Sequence, residues 1–579
     1  MMLTCYPRCC LVNNGFNMPP KIPTTIQQAR SIVALMGRIA LWIGVLAGPA
    51  SAFDTGHHFD LTREALLEAG FKDDAIRATQ VCNWLTDYYS EQPALDLKDQ
   101  LRHFHFDNLE DYDSIARSWG HFTANSKAAI SQAARDGKTL EVIALLGISL
   151  HVVQDFYTHS NWPETFPRDA GNAFRTETWF SVLPTGPIAG LRTGAYPGNP
   201  ATPDTNHGDY DSGLNHDSYC RPRWEESYVF AFVASVEWIA AVRSWVDDAK
   251  PGLWTEIQAM AAPGGLDADF EAAYRISEWV AGEGADGHWK GKGSGSVAEF
   301  GAAALAWAAS PDSALVDLFK KDRVHERLAP GLGDGSAAPE TPAVPRVKAS
   351  RDLVRLKTTS VREKDDVGVF ELKIDSGGKA DFYAVVNIAG LAYVEAMQID
   401  RSDIAPKWTT LRFLPAGTAS VPITYQLFDE DGLVRGDDDH CDILPGSGRD
   451  LSFDYDLSAG STTKASSGSD DSDRAEVEIE IATLKALPQP ALAIADSVGV
   501  QGANGESDVR IVQALLNAVP VDDGGPSPRL TTDGLVGPKT VEAIRRFQTS
   551  QGLPADGRVD AGGQTLARLN TFWTIQGAP

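Results

Sequence analysis

One segment limits the possible folds of this chain more than any other, because it places ionisable side chains at helical spacing inside an apolar stretch. It reads His151-Val-Val-Gln-Asp155-Phe-Tyr-Thr-His159 and follows the apolar residues 143–150. Positions four residues apart drift by only about 40° on a helix, so the three side chains share one stripe. A stripe of this kind facing inward is costly without a partner. The segment predicts a buried metal-binding helix, with a buried hydrogen-bond network as the alternative.

Other candidate ligands cluster in the same part of the chain. Nine of the twelve histidines lie between residues 57 and 216. The pairs His57/His58 and His103/His105 each offer alternatives, and His207 with Asp211 repeats the spacing of His151 with Asp155. Imidazole with carboxylate and no thiolate favours zinc over manganese or iron. The number of candidates predicts two or three zinc ions.

The central segment resembles a known family signature. Residues 150–162, with the later segments 207–211 and 213–218, are similar to motifs of the heterokaryon-incompatibility C (Het-C) family. Relatives of that family resemble zinc-dependent phospholipases C and single-strand nucleases in fold and ligand order. The resemblance covers roughly residues 53–250. It implies an all-α zinc-dependent phosphodiesterase.

The resemblance also implies roles for individual residues. Phe53, exposed by cleavage after Ala52, would bind a metal through its α-amine and carbonyl. Asp87 would bind metal and orient or deprotonate the attacking water. The complete predicted ligand set is Phe53, His58, Asp87, His103, His105, His151, Asp155, His159, His207 and Asp211.

The N-terminus predicts export. Basic residues precede the apolar run 39–47, and Ala50-Ser51-Ala52 is typical of a signal-peptidase site, so we expect residues 1–52 to be a signal peptide, with an uncleaved anchor as the alternative. No later segment is expected to have the length to cross a membrane. Three cysteines remain after cleavage, which allows at most one disulfide within the chain; Cys82–Cys220 is one candidate pair. The protein is expected to be secreted or periplasmic and associated with the cell envelope.

Beyond the signal peptide, periodicity predicts several domains. Residues 53–325 are expected to form the all-α metal-binding catalytic domain, and the Pro/Gly-rich residues 326–347 a linker. Alternating apolar residues predict an all-β sandwich over 348–490, with strands at 367–374, 382–388, 421–428 and 475–481 and a loop over 458–474.

Two groups of aspartates in the predicted sandwich point to calcium. Their spacing is similar to that in the calcium-dependent lipid-binding sandwiches of phospholipases and synaptic proteins. Hard carboxylate oxygens at a loop tip suit Ca²⁺, although a solvated acidic loop is the alternative. The predicted calcium ligands are Asp375, Asp381, Asp429, Asp431 and Asp437.

The last part of the chain is similar to the bacterial peptidoglycan-binding three-helix domain. The segments 508–516, 533–540, 543–548 and 553–559 carry the resemblance, which predicts a domain over 505–572. Ile511, Leu515, Ile544 and Phe547 are expected in its core. The resemblance implies peptidoglycan as a partner.

Taken together, these features predict a zinc-dependent phosphoric diester hydrolase, with a phospholipase C-like activity on phospholipid or another phosphodiester. The alternatives are a zinc-dependent nuclease or nucleotidase and a non-catalytic, toxin-like surface protein with structural zinc. The net charge of -27 argues against a stable nucleic-acid partner. Calcium would let the acidic sandwich contact a membrane surface.

Overall fold

The computed structural model describes residues 55–575 apart from several internal segments. The segments outside the description are 92–100, 169–172, 183–186, 197–212, 218, 220, 262–313, 340–341, 343, 345, 348–350, 365–379, 396–397, 399–400, 430–438 and 470–472. The predicted signal peptide therefore lies outside the described residues, as do Phe53 and the predicted strand 367–374.

Long helices dominate the first part of the described chain. They are α1 (Thr55–Glu68), α2 (Asp73–Glu91), α3 (Tyr112–Arg135), α4 (Thr139–Thr158) and α7 (Trp224–Ala249). Shorter helices are α5 (Trp162–Thr165), α6 (Trp179–Val182), α8 (Leu253–Gln258) and α9 (Ala314–Lys320), with 3-10 turns at Arg102–His105 and Val324–Arg327.

Helix α4 lies at the centre of these helices, in contact with α2, α3 and α7. Every residue from Glu141 to Thr158 is buried. Gly147 permits the close approach of α2, because a Cβ at this position would lie 2.4 Å from the backbone oxygen of Thr79. The burial of α4 places the predicted ligand stripe in the interior of the protein.

Within the described residues, two helices are long and apolar enough to cross a membrane, which corrects the expectation that no later segment has the necessary length. They are α4 and α7, and 89% and 83% of their most apolar windows are buried within the protein. That burial is typical of core helices, whose apolar residues pack against protein.

The middle of the chain forms a sandwich of two sheets. One sheet has the order β1 (Ala173–Phe174), β12 (Ala475–Ala486), β3 (Arg351–Glu363), β6 (Asp403–Ile404), with β11 (Ser461–Ser467) on β12 and β7 (Thr409–Pro415) on β3. The other has the order β10 (Leu451–Asp456), β8 (Ser420–Asp429), β4 (Phe382–Ile388), β5 (Leu391–Val394), with β9 (Asp439–His440) on β8. Val354, Leu356, Tyr425 and Ile479 belong to the core between the sheets.

Two features of this region differ from the sequence-based expectation. Strand β1 comes from the helical part and pairs in parallel with β12, so that part is not purely α-helical. The predicted loop 458–474 contains β11, which pairs with β12 along its whole length. The serines, threonines and lysine of β11 suit an edge strand, because most of their side chains are exposed or half-buried there.

One sheet of the sandwich contributes residues to the hydrophobic core of the helical part. Leu353, Phe413 and Leu484 of the sandwich belong to the same buried cluster as α4 and α7. The rings of Phe232 and Phe413 stack with centroids 3.7 Å apart. The two parts therefore pack against each other directly.

Part of the predicted linker is also packed. Asn125 of α3 donates hydrogen bonds to the backbone oxygens of Leu328 and Pro330. Leu332 is buried in the core of the helical part. At the end of this segment, β2 (Arg346–Val347) pairs in parallel with β15 (Thr574–Ile575) of the C-terminal part.

The C-terminal part contains three helices, α10 (Glu506–Ala518), α11 (Pro538–Ser550) and α12 (Gln564–Trp573). A small sheet of β13 (Val498–Gly499) and β14 (Arg558–Val559) completes it. The four residues expected in its core are confirmed: Ile511, Leu515, Ile544 and Phe547 are buried in one cluster.

Candidate metal centre

The carboxylate of Asp155 is the meeting point of three histidines from three elements. Its Oδ1 lies 2.9 Å from His58 Nε2, supplied by α1. Its Oδ2 lies 3.1 Å from His151 Nε2 on α4 and 2.7 Å from His105 Nδ1 on the 3-10 turn 102–105. All four side chains are buried, so residues distant in sequence meet in the interior.

Buried amides fix the orientation of two of these rings. His58 Nδ1 lies 2.7 Å from Gln154 Oε1, and His151 Nδ1 lies 3.3 Å from Asn83 Oδ1. The Gln154 oxygen also accepts a hydrogen bond from Asn83 Nδ2 at 3.0 Å. An amide oxygen only accepts, so each Nδ1 carries the proton and each Nε2 is directed at Asp155. This arrangement is typical of histidines that bind metal through Nε2.

Burial and neighbouring side chains set the charge states of His151 and Asp155. It lowers the pKa of His151 to about 3, so the ring is neutral at pH 7 and its Nε2 presents a lone pair. Burial alone would raise the pKa of Asp155, but the neighbouring His151 and a hydrogen bond from His105 hold that pKa well below its ordinary value. The lone pair of His151 Nε2 and the carboxylate oxygen of Asp155 face each other and repel. A cation bound between them would remove this repulsion.

The donor set fits zinc. Nitrogen atoms of His58 and His151 and an oxygen of Asp155 all lie within 4.8 Å of one another. Ligand atoms around a tetrahedral zinc are about 3.3 Å apart. Among the described residues, Asp155 Oδ1 accepts no hydrogen bond of good geometry, although it is fully buried. The imidazoles of His58 and His151 and the carboxylate of Asp155 would hold a zinc ion here, with His105 beside them.

A second group of ionisable residues adjoins the first. His159 follows the last residue of α4; its Nδ1 donates to the backbone oxygen of His105 at 2.8 Å and lies 3.5 Å from Asp107 Oδ1. Its Nε2 lies 3.3 Å from Asp217 Oδ1. Burial would lower the pKa of His159, but Asp107 and Asp217 outweigh it and raise the pKa to about 10. Burial raises the pKa of Asp107 to about 6.

The structure separates the alternatives within the two histidine pairs. His57 lies among aromatic rings, with its centroid 4.8 Å from that of Trp224, and burial lowers its pKa to about 3. His103 is exposed and lies against Gly333. Only His58 and His105 of the two pairs reach Asp155.

Several predicted ligands lie outside the described residues. These are Phe53, His207 and Asp211, together with the side chain of Asp87, whose backbone belongs to α2. In contrast, Asn83, Asp107, Gln154 and Asp217 belong to the site although they were not predicted. Each lies close in sequence to a candidate ligand, and that proximity was the available signal.

Two of the predicted calcium ligands contact each other in the sandwich through the backbone of one and the carboxylate of the other. Asp381 precedes β4, and its backbone N–H donates to Asp429 Oδ1 at the end of β8. Asp439 of β9 is the register partner of Asp429, which places another aspartate beside Asp429 at this end of the sheet. Asp375, Asp431 and Asp437 lie outside the described residues.

The candidate disulfide partner Cys82 is a free thiol on α2, and burial raises its pKa above the ordinary value. It faces α4 at the contact that Gly147 permits. Cys220 lies outside the described residues. One half of the suggested pair therefore lies outside the described residues.

Comparison with solved structures returned sandwich proteins of low similarity. A C2 domain is 12% identical, with 24% of this chain and 99% of that chain covered and a TM-score of 0.17. A C2 domain protein from Ramazzottius varieornatus is 13% identical, with coverage of 25% and 92% and a TM-score of 0.19. Human GIVD cytosolic phospholipase A2 is 16% identical, with a TM-score of 0.19; 25% of this chain is covered, but only 18% of the human protein. At these TM-scores we draw nothing further from the likeness.

No curated protein matches the chain. A family model does match its C-terminal part: residues 505–569 match a family of peptidoglycan binding domains. This match agrees with the domain predicted over residues 505–572 and with the three helices α10 to α12. The chain therefore carries a peptidoglycan-binding domain at its C-terminal end.

Proposed function

We propose that this protein is a zinc-dependent phosphodiester hydrolase, phospholipase C-like in activity, that acts at the cell envelope. The observation that carries the proposal is the convergence of His58, His105 and His151 on Asp155. The Nδ1 atoms of two of the rings are fixed by amide oxygens. In zinc-binding histidines, the ring nitrogen that does not bind metal commonly donates to such an acceptor. The Het-C resemblance of residues 150–162 supports the same reaction class.

The chain's own residues would divide the work as follows. His58, His151 and Asp155 would hold a first zinc, and His159 with Asp107 and Asp217 would hold a second or stabilise a developing negative charge. Zinc, when bound, lowers the pKa of a water molecule to about 7 and polarises a phosphoryl oxygen. Asp87 would orient or deprotonate the attacking water, as the resemblance implies.

The other two parts would determine where the enzyme acts. The C-terminal domain would bind peptidoglycan and keep the protein in the envelope, after secretion directed by residues 1–52. The carboxylates of Asp381, Asp429 and Asp439 would bind calcium and bring the sandwich to a phospholipid surface. A calcium ion also reverses the local potential, which an acidic protein needs in order to approach lipid phosphates.

A second candidate function rests on the burial of the site. His58, His151 and Asp155 are at most 1% exposed, and a closed zinc site surrounded by protein is typical of structural zinc. In that case the protein would be a non-catalytic surface protein stabilised by its metal. The two candidates differ in whether water and substrate reach the metal.

Hydrolysis assays with and without chelator test the proposal. Purified full-length protein is assayed against phosphatidylcholine, single-stranded DNA and a chromogenic phosphodiester. We expect release of a phosphorylated headgroup from phosphatidylcholine, abolished by chelator and restored by zinc. Hydrolysis of DNA alone would favour the nuclease alternative. A zinc-loaded protein inactive on all three substrates would favour structural zinc.

A further inference from the structure

The strongest unassigned feature is a buried carboxylate between the helical part and the sandwich. Glu64 of α1 is 2% exposed. Its Oε1 accepts a hydrogen bond from the Tyr393 hydroxyl at 2.6 Å. Its Oε2 accepts hydrogen bonds from Arg412 Nη1 at 2.8 Å and from the backbone N–H of Phe413 at 3.1 Å. Each oxygen of this buried carboxylate accepts hydrogen bonds from different donors, so the side chain is held in a defined position.

The donors to Glu64 come from both sheets of the sandwich. Tyr393 belongs to β5 of one sheet, whereas Arg412 and Phe413 belong to β7 of the other. Neighbouring residues of α1 add contacts to the same surface. The Arg63 guanidinium lies over the Tyr393 ring, 5.1 Å from its centroid, and Glu68 pairs with Arg351 of β3. The sandwich therefore contacts α1 through consecutive turns of the helix.

The same helix supplies one ligand of the proposed metal centre. His58 lies six residues before Glu64, which places the two side chains about 120° apart around the helix. His58 faces Gln154 and Asp155 of α4, while Glu64 faces the sandwich. A shift of α1 along its axis or around it would move His58 relative to Asp155.

We infer that Glu64 is a positioning residue for the metal centre. Its contacts with Tyr393 and Arg412 hold α1 in the register that brings His58 Nε2 to Asp155. The sandwich is then a structural part of the metal site, in addition to any role at a membrane. This inference rests on the proposed zinc centre and extends it to the domain interface.

The test compares zinc affinity among full-length variants, measured by competition with a chromogenic chelator, together with the absorption spectrum of bound Co²⁺. In Glu64→Gln, the amide keeps the size of the carboxylate but loses its charge and one acceptor position for Arg412. We expect zinc affinity to fall at least tenfold and the Co²⁺ spectrum to change. Tyr393→Phe removes one hydrogen bond and keeps the ion pair, so it should fold and should weaken affinity less than Glu64→Gln.

Two further variants separate positioning from general stability. Glu225→Gln removes a comparable interdomain carboxylate, on α7, which contacts Arg355 and Lys357 and supplies no ligand to the centre. It should leave zinc affinity and the Co²⁺ spectrum unchanged. The double variant Glu64→Gln with Arg412→Met removes the uncompensated buried charge. It should regain thermal stability but keep the weakened zinc affinity.

The outcomes are distinguishable. Glu64→Gln that folds and binds zinc as the wild type does, or Glu225→Gln that weakens zinc binding equally, would overturn the positioning role alone. Recovery of zinc affinity together with stability in the double variant would also overturn it. A wild-type chain that binds no zinc or Co²⁺ would overturn the metal centre itself, and the positioning role with it.

Discussion

At the scale of single residues, the distinction between His58 and His103 gives a direct test of which histidines bind metal. His58→Ala removes a ring that faces Asp155, whereas His103→Ala removes an exposed ring outside the cluster. We expect His58→Ala to lose about one equivalent of zinc by elemental analysis. It should also lose the stabilisation that zinc provides, which is about 2.7 kcal/mol at a zinc concentration of one hundred times Kd. His103→Ala should keep both, and equal losses in the two variants would contradict the site.

A second residue-scale prediction concerns the amide behind His58. Gln154→Leu removes the acceptor at His58 Nδ1 and puts an apolar side chain of similar size in its place. Zinc affinity should fall by about 10- to 100-fold, because the amide fixes the tautomer and the ring orientation. Gln513→Leu is the matched control, since Gln513 is also buried but donates to Asp533 and to the backbone oxygen of Leu535 in the C-terminal part. Chelator competition measures both; an unchanged affinity in Gln154→Leu would leave the amide with no role in metal binding.

The sequence predicted the centre of the site better than its surroundings. His151 and Asp155 could be recognised because helical spacing and apolar flanks together require a buried stripe. The choice of His105 over His103 could not be predicted from the sequence, because it depends on how the 3-10 turn 102–105 packs against α4. Asp217 lies near the predicted ligand Asp211 in sequence, but its contact with His159 depends on tertiary folding.

At the scale of elements, the contact between α2 and α4 depends on the absence of a side chain at Gly147. An alanine Cβ there would lie 2.4 Å from Thr79 O and 2.7 Å from Cys82 Cβ, so the helices would have to separate. We expect Gly147→Ala to destabilise the protein by about 1–3 kcal/mol, measured by thermal unfolding. Gly537→Ala, where a Cβ meets nothing within 4 Å, should cost less than about 1 kcal/mol. Equal melting temperatures for Gly147→Ala and wild type would contradict this packing.

The loop after β5 gives a pH-dependent prediction. Burial raises the pKa of Glu395 from 4.5 to about 7, although Thr410 donates a hydrogen bond to its carboxylate. The unfolded chain releases this proton near pH 4.5 and the folded chain near pH 7, so the free energy of unfolding falls as pH rises between these values. The loss from this group is about 3 kcal/mol.

Glu395→Gln removes that titration. In chelator-treated protein, the wild type should lose thermal stability between about pH 5 and about pH 8 more steeply than the variant, and the variant should be the more stable at the upper end. Parallel melting curves across this range would show that Glu395 ionises freely in the folded protein.

Among the elements, alternation predicted the central strands and failed at the edges. Residues 382–388 form β4 and residues 421–428 lie within β8, because apolar residues on alternate positions face the core. Strand β11 was predicted as a loop since its serines and threonines carry no apolar signal. Its pairing depends on β12 beside it, which composition alone does not indicate.

At the scale of the whole molecule, calcium at the sandwich should control contact with lipid. Calcium should raise the melting temperature of the full-length protein and promote co-sedimentation with phosphatidylserine-containing liposomes, because it relieves repulsion among the carboxylates near Asp429. Asp429→Asn should abolish both effects and leave hydrolysis of a soluble phosphodiester unchanged. Equal lipid binding in calcium and in chelator would make the sandwich a structural part of the metal domain only.

The central claim is that His58, His151 and Asp155 form a zinc site, and metal content tests it most directly. The measurement is elemental analysis of the full-length mature protein, purified without chelators and then dialysed against zinc-free buffer. We predict two or three equivalents of zinc per chain for the wild type, with at least one lost in His151→Ala. Less than one equivalent of any transition metal in the wild type, or equal metal content in the wild type and His151→Ala, would contradict the account.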